Sequence, residues 1–340
     1  MRWDDVNARA RGLATHLLDR DALAVLAAAP DWPAFLGRIT ALGYPLDLGA
    51  GALVDPPAFD RAVSLVAAAR LNLLSRWLAR RRAVLAVVLE DEEYRTVRAL
   101  LRGAAQGASP GARRRAVMPT PTLSLRALDR LTRTATVAEL VRELVRLGHP
   151  AGRALDDLLR RSPSPALRSL EWVLARLFSE RAVRAARAGG PVVRSYAAEL
   201  VDQENAWTLL LAAPPEREMA ADQECLPGGA RLTREEFVRL RAERDGERLV
   251  KGLRELFEGT ALGAALAQDP LELASLEPRT AAARIAALRG LARRDPLGPA
   301  VVLAVLERIR AEARALRAIA WGVAFGAPAP MLASLMPEAA

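Results

Sequence analysis

The sequence of 340 residues contains one cysteine and two histidines. Cys225 has no second cysteine with which to form an intramolecular disulfide, and two histidines do not furnish a His-rich metal site. Aromatic residues make up only 4% of the chain, which argues against β-sandwiches and barrels, because those folds rely on aromatic and β-branched side chains. A secreted disulfide scaffold and a zinc module are both excluded.

Long apolar segments are also missing from the chain. The first five residues, MRWDD, lack the apolar core of a signal peptide. The longest apolar stretches, such as Ala83–Leu89, are far shorter than the roughly 20 residues that a membrane span requires. We therefore expect a soluble protein of the cytoplasm without a transmembrane segment.

The residues that dominate the sequence are Ala, Leu, Val and Arg, and Lys251 is the only lysine. Ala, Leu and Arg favour helix. The formal net charge of +9 suits a nucleic acid, an anionic membrane face or an acidic partner. Arginines beside acidic residues on solvated helix faces are a more ordinary source of such charge. The basic cluster Arg113–Arg115 has no interleaved aromatics, so it is a weak indication of single-strand binding.

The spacing of apolar residues predicts helices along most of the chain. Between Ala300 and Phe325 they recur in steps of three and four, which is typical of a long amphipathic helix. Pro299 suits the start of this helix, and Gly326 suits its end. The members of its apolar seam are Val302, Leu306, Ile309, Ala313, Leu316, Ala320 and Val323. Because no run alternates in the manner of a β-strand, the sequence predicts an all-α fold.

Two stretches, residues 103–122 and 212–230, are rich in glycine and proline and predict loops or linkers. They divide the chain into thirds. We expect three helical domains, at residues 1–108, 109–217 and 218–340.

A similar pattern lies towards the end of each third. An acidic residue is followed by a small or polar residue three positions later and by an aliphatic residue seven positions later. The acidic residues are Glu93, Asp202 and Glu312, which stand 109 and 110 residues apart. Such spacing is typical of a triplicated domain, although a loose pattern also recurs by chance in a chain of this composition.

These carboxylates are interpreted as structural. Positions i and i+3 share one helix face, so Asp202 and Asn205 are suited to bind a neighbouring backbone segment or an arginine together. No base, nucleophile or metal ligand stands at a matching spacing. We therefore assign Glu93, Asp202, Asn205 and Glu312 as helix-packing or interface residues.

No sequence motif for catalysis or cofactor binding stands out. The phosphate-binding patterns GxxxxGK[ST] and GxGxxG are missing in the required context. His16, placed in the first helix, and His149, directly before Pro150, have no neighbouring ligand and are interpreted as capping or surface residues. Cys225 has no histidine nearby that would activate it. We expect no catalytic residue, no cofactor and no metal.

The order of several motifs resembles the C subunit of the archaeal and bacterial V/A-type ATPases, whose eukaryotic counterpart is the d subunit. DVNARARGL at residues 5–13 resembles the start of that protein, and LLRG at residues 100–103 matches its motif after an acidic helix. LGRITALGY at residues 36–44 is similar to its Thr-x-Tyr segment, stretched by one residue. VDQEN at residues 201–205 resembles its Asp-x-x-Asn helix. The last matching helix contains Glu312, Leu316 and Arg317.

Some positions depart from the family pattern. Thr96 and Ala315 stand where the family often has Asn, and Leu211 stands where it often has Arg. These departures affect individual contacts more than membership, because such positions pack helices.

The resemblance implies three similar helical domains arranged as a pseudo-threefold funnel. It also implies a non-catalytic subunit of the central rotor stalk, peripherally associated with the cytoplasmic face of the membrane. One end would sit on the proteolipid c/K ring and the other would form a socket for the shaft subunits D and F. The +9 charge would face acidic ring loops or lipid head groups.

The residues alone leave two alternatives open. The first is a helical scaffold of another kind, including a basic protein associated with RNA or DNA, although few aromatics and many interspersed acids disfavour a nucleic-acid partner. The second is an enzyme whose pocket is assembled only in the fold.

Overall fold

The computed structural model describes residues 3–46, 54–78, 81–115, 117–211, 224–269 and 271–333. These ranges contain helices and no strand, so the predicted all-α class is confirmed. The first third contains α1 (Trp3–Ala14), α2 (Arg20–Ala27), α3 (Trp32–Ala41), α4 (Pro56–Leu78) and α5 (Arg82–Ala105). The second contains α6 (Pro110–Arg115), α7 (Leu125–Thr132), α8 (Val137–Arg146), α9 (Pro150–Arg161), α10 (Leu167–Ala186) and α11 (Gly190–Leu210). The last contains α12 (Arg234–Ala242), α13 (Gly246–Leu256), α14 (Ala261–Leu266), α15 (Leu273–Arg294), α16 (Ala300–Ala324) and α17 (Ala329–Ala333).

The helix order repeats along the chain. In each third, short helices precede a pair of long ones, and the second long helices, α5, α11 and α16, begin at residues 82, 190 and 300, which are 108 and 110 residues apart. A short helix near the start of each third, α2, α7 or α12, has a side-chain N-cap, supplied by Asp19, Ser124 or Thr233. Each cap satisfies a backbone N–H that would otherwise lack a partner in the first helical turn.

The chain forms two compact units, and the first combines its two ends, Met1–Ala79 and Phe257–Ala340. Helix α16 is central to this unit. Helices α4 and α15 pack along it, and α1, α2 and α3 contact it as well. The second unit is Arg80–Leu256, in which α5 packs extensively against α10 and α8 packs against α9.

In both units the last long helix of one third packs on the first long helix of another. Helix α5 packs on α10, and α16 packs on α4. The first predicted domain boundary, after residue 108, falls between α5 and α6, and the second, after residue 217, lies outside the described residues. The three-domain division stays a prediction.

The helix predicted from Ala300 to Phe325 is confirmed as α16. All seven residues of its seam are buried, and Gly326 adopts φ +70°, a left-handed conformation that suits a helix end. The pattern places Arg310 off the seam, but Arg310 is buried too, and its guanidinium donates to Glu307 at 2.7 Å. The reason is that α16 has neighbours on several sides, so its polar face is also enclosed.

The loop predicted over residues 103–122 is only partly correct. Helix α5 continues to Ala105, and α6 forms within the stretch. Gly103 is needed inside the helix because Arg113 lies against it: a Cβ at Gly103 would stand 2.7 Å from Arg113 Cγ. Arg113 is buried and donates to the carbonyls of Ala108 and Thr134. The basic cluster is therefore partly a helix-packing element, and not an exposed loop patch.

No helix in the described ranges is both long and apolar enough to cross a membrane.

Candidate functional site: the repeated carboxylates

Glu93 lies on α5 and is buried in the second unit. Its carboxylate accepts hydrogen bonds from the hydroxyls of Thr120, at 3.1 Å, and Thr122. His149 Nε2 lies 3.3 Å from the other carboxylate oxygen. Because His149 Nδ1 accepts from the N–H of Ala151 as the cap of α9, Nε2 is left to donate to Glu93. Glu93 thus ties α5 to the turn before α7 and to the start of α9.

The surroundings of Glu93 favour its ionised form. Burial alone would raise the pKa, but the hydrogen bonds from His149, Thr122 and Thr120 outweigh it and hold the pKa of Glu93 below its ordinary value. His149 is therefore a capping residue, as expected, and also a partner of a repeated carboxylate. His16 lies just after α1, not inside it as predicted, because α1 ends at Ala14.

Asp202 lies on α11 and binds three consecutive backbone groups. The N–H groups of Ala230 and Arg231 each donate at 2.9 Å, and that of Leu232 donates at 3.1 Å. Gly229 permits this approach, since a Cβ there would stand 2.1 Å from Asp202 Oδ1. Burial raises the pKa of Asp202, against the opposing effect of these backbone donors.

Asn205 completes the contact one helical turn later. Its Nδ2 donates to the carbonyl of Leu226 at 3.0 Å, while its Oδ1 accepts from the N–H of Leu226 at 2.8 Å. Asp202 and Asn205 together therefore hold the segment at residues 226–232, which leads into α12. The corresponding residues in the other thirds, Thr96 and Ala315, are also buried, but neither has an amide that could make this paired contact.

Glu312 lies on α16 in the first unit and binds residues near the N-terminus. Its Oε1 accepts from the N–H of Leu18 at 2.7 Å. Its Oε2 accepts from the hydroxyl of Tyr44 at 3.2 Å and from the guanidinium of Arg70, which also donates to the carbonyl of His16. Burial raises the pKa of Glu312, although Arg70 and the other donors oppose this shift.

The three carboxylates make the same kind of contact. Each receives a hydrogen bond from the residues just before an N-capped short helix: Leu18 precedes α2, Thr122 precedes α7, and Leu232 precedes α12. A buried carboxylate that accepts two or more hydrogen bonds is well compensated, whereas removing it leaves buried donors without partners. Their oxygens are occupied by the protein itself, which suits a structural tie.

A second set of buried acids was not predicted from the sequence. Glu204 accepts from Tyr94 Oη at 2.8 Å and from Arg98 at 3.0 Å in the second unit. Glu224 pairs there with Arg168 and Arg241. The spacing of Tyr94 and Arg98, one helical turn apart, was an available signal for the first cluster. No local pattern marks the second, because its members come from distant parts of the chain.

Cys225 and possible groups of metal ligands are the remaining candidates for a catalytic or metal-binding site. Burial raises the pKa of the Cys225 thiol, which disfavours the thiolate. Within the part of the chain that the structure describes, no group of His, Cys, Asp and Glu could hold a metal ion.

The fold and the site therefore define an all-helical protein in which the helix order recurs three times. Each third contains a buried carboxylate that binds the segment before a short helix. The family profile of the ATP synthase (C/AC39) subunit matches residues 6–333, nearly the whole chain. The chain therefore belongs to this family and is part of a V/A-type ATPase. No curated protein matches the chain.

Proposed function

We propose that the protein is a non-catalytic subunit of the central rotor stalk. In this role it links the proteolipid ring in the membrane to the shaft subunits D and F. It transmits torque between ATP turnover and ion transport, and it sits peripherally on the cytoplasmic face of the membrane. The three domains, residues 1–108, 109–217 and 218–340, would form a pseudo-threefold funnel.

The observation that supports this proposal most directly is the family match over residues 6–333, combined with the repeated helix order. The long helices of the three thirds contain between 20 and 25 residues. At 1.5 Å per residue they span roughly 30–37 Å. Densely packed helices of this length transmit strain, and buried ties at Glu93, Asp202 and Glu312 resist displacement of the segments that they hold.

Association with the complex tests the proposal. Tagged protein should recover D, F and the proteolipid ring from solubilised membranes of cells that contain the complete ATPase. The shaft and the ring should be recovered separately when each is offered alone. Recovery of neither the shaft nor the ring would refute the stalk role, and recovery of stator subunits alone would place the protein elsewhere in the ATPase.

The net charge of +9 gives this role a second readout. If the charge faces acidic ring loops or lipid head groups, attachment to isolated rings should weaken as salt increases, because exposed charges are screened over about 8 Å at physiological ionic strength. Equal retention at low and high salt would rule out the electrostatic contribution while leaving the stalk role intact.

A further inference from the structure

A cavity of about 340 Å³ in the first unit is rimmed by four arginines. Arg11 comes from α1, Arg289 and Arg293 come from α15, and Arg308 comes from α16. Its floor is apolar and includes Val301, Ala304 and Val305 from the first turns of α16. Among the described residues that line the cavity, none is acidic. Four positive charges therefore surround an apolar floor with no carboxylate in that lining.

Helix ends explain two of these arginines. Arg11 and Arg293 stand in the last turns of α1 and α15, where a cation complements the partial negative charge of the helix C-terminus. Arg11 also donates to the carbonyl of Pro296 at 3.2 Å. Neither explanation applies to Arg308, which lies in the interior of α16.

Arg308 is half-buried, and no hydrogen bond or ion pair engages it among the residues that the structure describes. Burial lowers the pKa of Arg308, and the nearby charge of Arg289 lowers it further, although Glu312 and Asp19 attract it from a distance. A half-buried guanidinium that faces a like charge costs free energy unless an anion neutralises it.

We propose that this cavity, the arginine pocket, binds a phosphate group that bears an apolar portion, as in a phospholipid head group or a small organic phosphate. The arginines favour phosphate over a single carboxylate, because a phosphate group offers more acceptor oxygens to the guanidinium forks, and a phosphate monoester also bears up to two negative charges. The apolar floor would bury the carbon portion next to the phosphate. The inference concerns the pocket alone and does not depend on the stalk role.

The test compares two double variants with equal charge loss. R293Q/R308Q removes two pocket cations, and R153Q/R239Q removes two exposed arginines of the second unit. Titration calorimetry on the full chain would use n-butyl phosphate and inorganic phosphate as probes. Sedimentation would use vesicles of phosphatidylglycerol and of phosphatidylcholine. The pocket variant should weaken binding by about tenfold or more, since a hydrogen bond to a charged group contributes about that factor or more, whereas the control should stay within about twofold of wild type.

The soluble phosphates and the vesicles together distinguish a free phosphate from a lipid head group. Pocket-dependent binding of butyl phosphate with equal vesicle binding in both variants would assign a free organic phosphate. Pocket-dependent binding to phosphatidylglycerol vesicles would assign a lipid head group. The proposal fails if both variants lose affinity equally, which would indicate general charge attraction, or if neither ligand shows pocket-dependent binding.

Stability without ligand gives an independent check. The variant R293Q/R308Q removes a half-buried cation that lies near Arg289, and it also loses the favourable charge of Arg293 at a helix C-terminus. Because these two effects oppose each other, the variant should melt close to the wild-type temperature. That result also establishes that the variant is folded, so a loss of binding reports on the pocket.

Discussion

Glu93 and Glu312 occupy corresponding positions in the repeated sequence pattern. The groups that donate hydrogen bonds to the two carboxylates are different. Glu93 accepts from two hydroxyls and an imidazole, and the pKa of its carboxyl is lowered. Glu312 accepts from a guanidinium, a phenol and a backbone N–H, but burial has the larger effect, and its pKa is raised. A lowered pKa means that folding favours the ionised form, and a raised pKa means that folding favours the protonated form.

This difference predicts opposite pH dependence for E93Q and E312Q. The stability that wild type gains over E93Q should be complete above the ordinary carboxyl pKa of 4.5 and should fall as pH decreases through the lower pKa of folded Glu93. The stability difference between wild type and E312Q should be complete below pH 4.5 and should fall as pH rises through the higher pKa of folded Glu312.

Urea unfolding of the three proteins between pH 3 and about pH 7 would measure both differences. E180Q serves as the control, because Glu180 is an exposed residue whose ion pair with Arg176 lies on the surface of α10. It should reproduce the wild-type profile. Two differences that change in the same direction with pH would contradict the assigned surroundings.

At the scale of helices, Gly152 shows how closely two elements approach. It lies on α9, where a Cβ would stand 2.5 Å from the backbone nitrogen of Val145 and 2.6 Å from the carbonyl carbon of Leu144. Those atoms belong to the last turns of α8. Backbone atoms yield less than the end of a flexible side chain, so the contact requires glycine.

We expect G152A to destabilise the protein by about 2 kcal/mol, within the usual cost of overpacking. The matched control is G37A on α3, where a Cβ would meet nothing within 4 Å. G37A should stabilise the protein by about 0.5–1 kcal/mol, because alanine loses less backbone entropy in a helix than glycine does. Denaturant midpoints would measure both, and a G152A protein as stable as wild type would show that the helices separate at little cost.

Local pattern predicts elements better than it predicts their neighbours. The spacing of apolar residues was sufficient to predict α16, because its buried residues recur at helical intervals in the sequence itself. It was insufficient for Gly103, whose place inside α5 depends on Arg113 from the next helix. It was also insufficient for Arg310, which is enclosed because several helices surround α16.

At the site, too, the sequence pattern predicted the residues but not the groups that they contact. The spacing of Glu93, Asp202 and Glu312 could be found in the sequence, and so could the shared helix face of Asp202 and Asn205. The groups that they bind could not, because the N–H that reaches Glu312 belongs to Leu18, 294 residues away. Such a pair is determined by packing of the whole unit and has no local signature.

At the scale of the whole molecule, repeats in the chain and compact units do not coincide. Helix α5 ends the first third but packs on α10 in the second unit, and α4 packs on α16 in the first. The first unit therefore needs both ends of the chain. Glu312, in the C-terminal part of this unit, accepts hydrogen bonds from Leu18 and Arg70 in its N-terminal part.

Fragments of the chain can test whether the thirds or the two compact units fold independently. Residues 80–256 should fold alone into a helical protein with a cooperative urea transition, because α5 and α10 are both present. Residues 1–108 should be poorly folded, because α4 lacks α16 and α5 lacks α10, and a helix in water depends on tertiary packing of its apolar face. Circular dichroism during denaturation would compare them. A cooperative transition for 1–108 without one for 80–256 would mean that the thirds are the folding units, and that packing between them follows their formation.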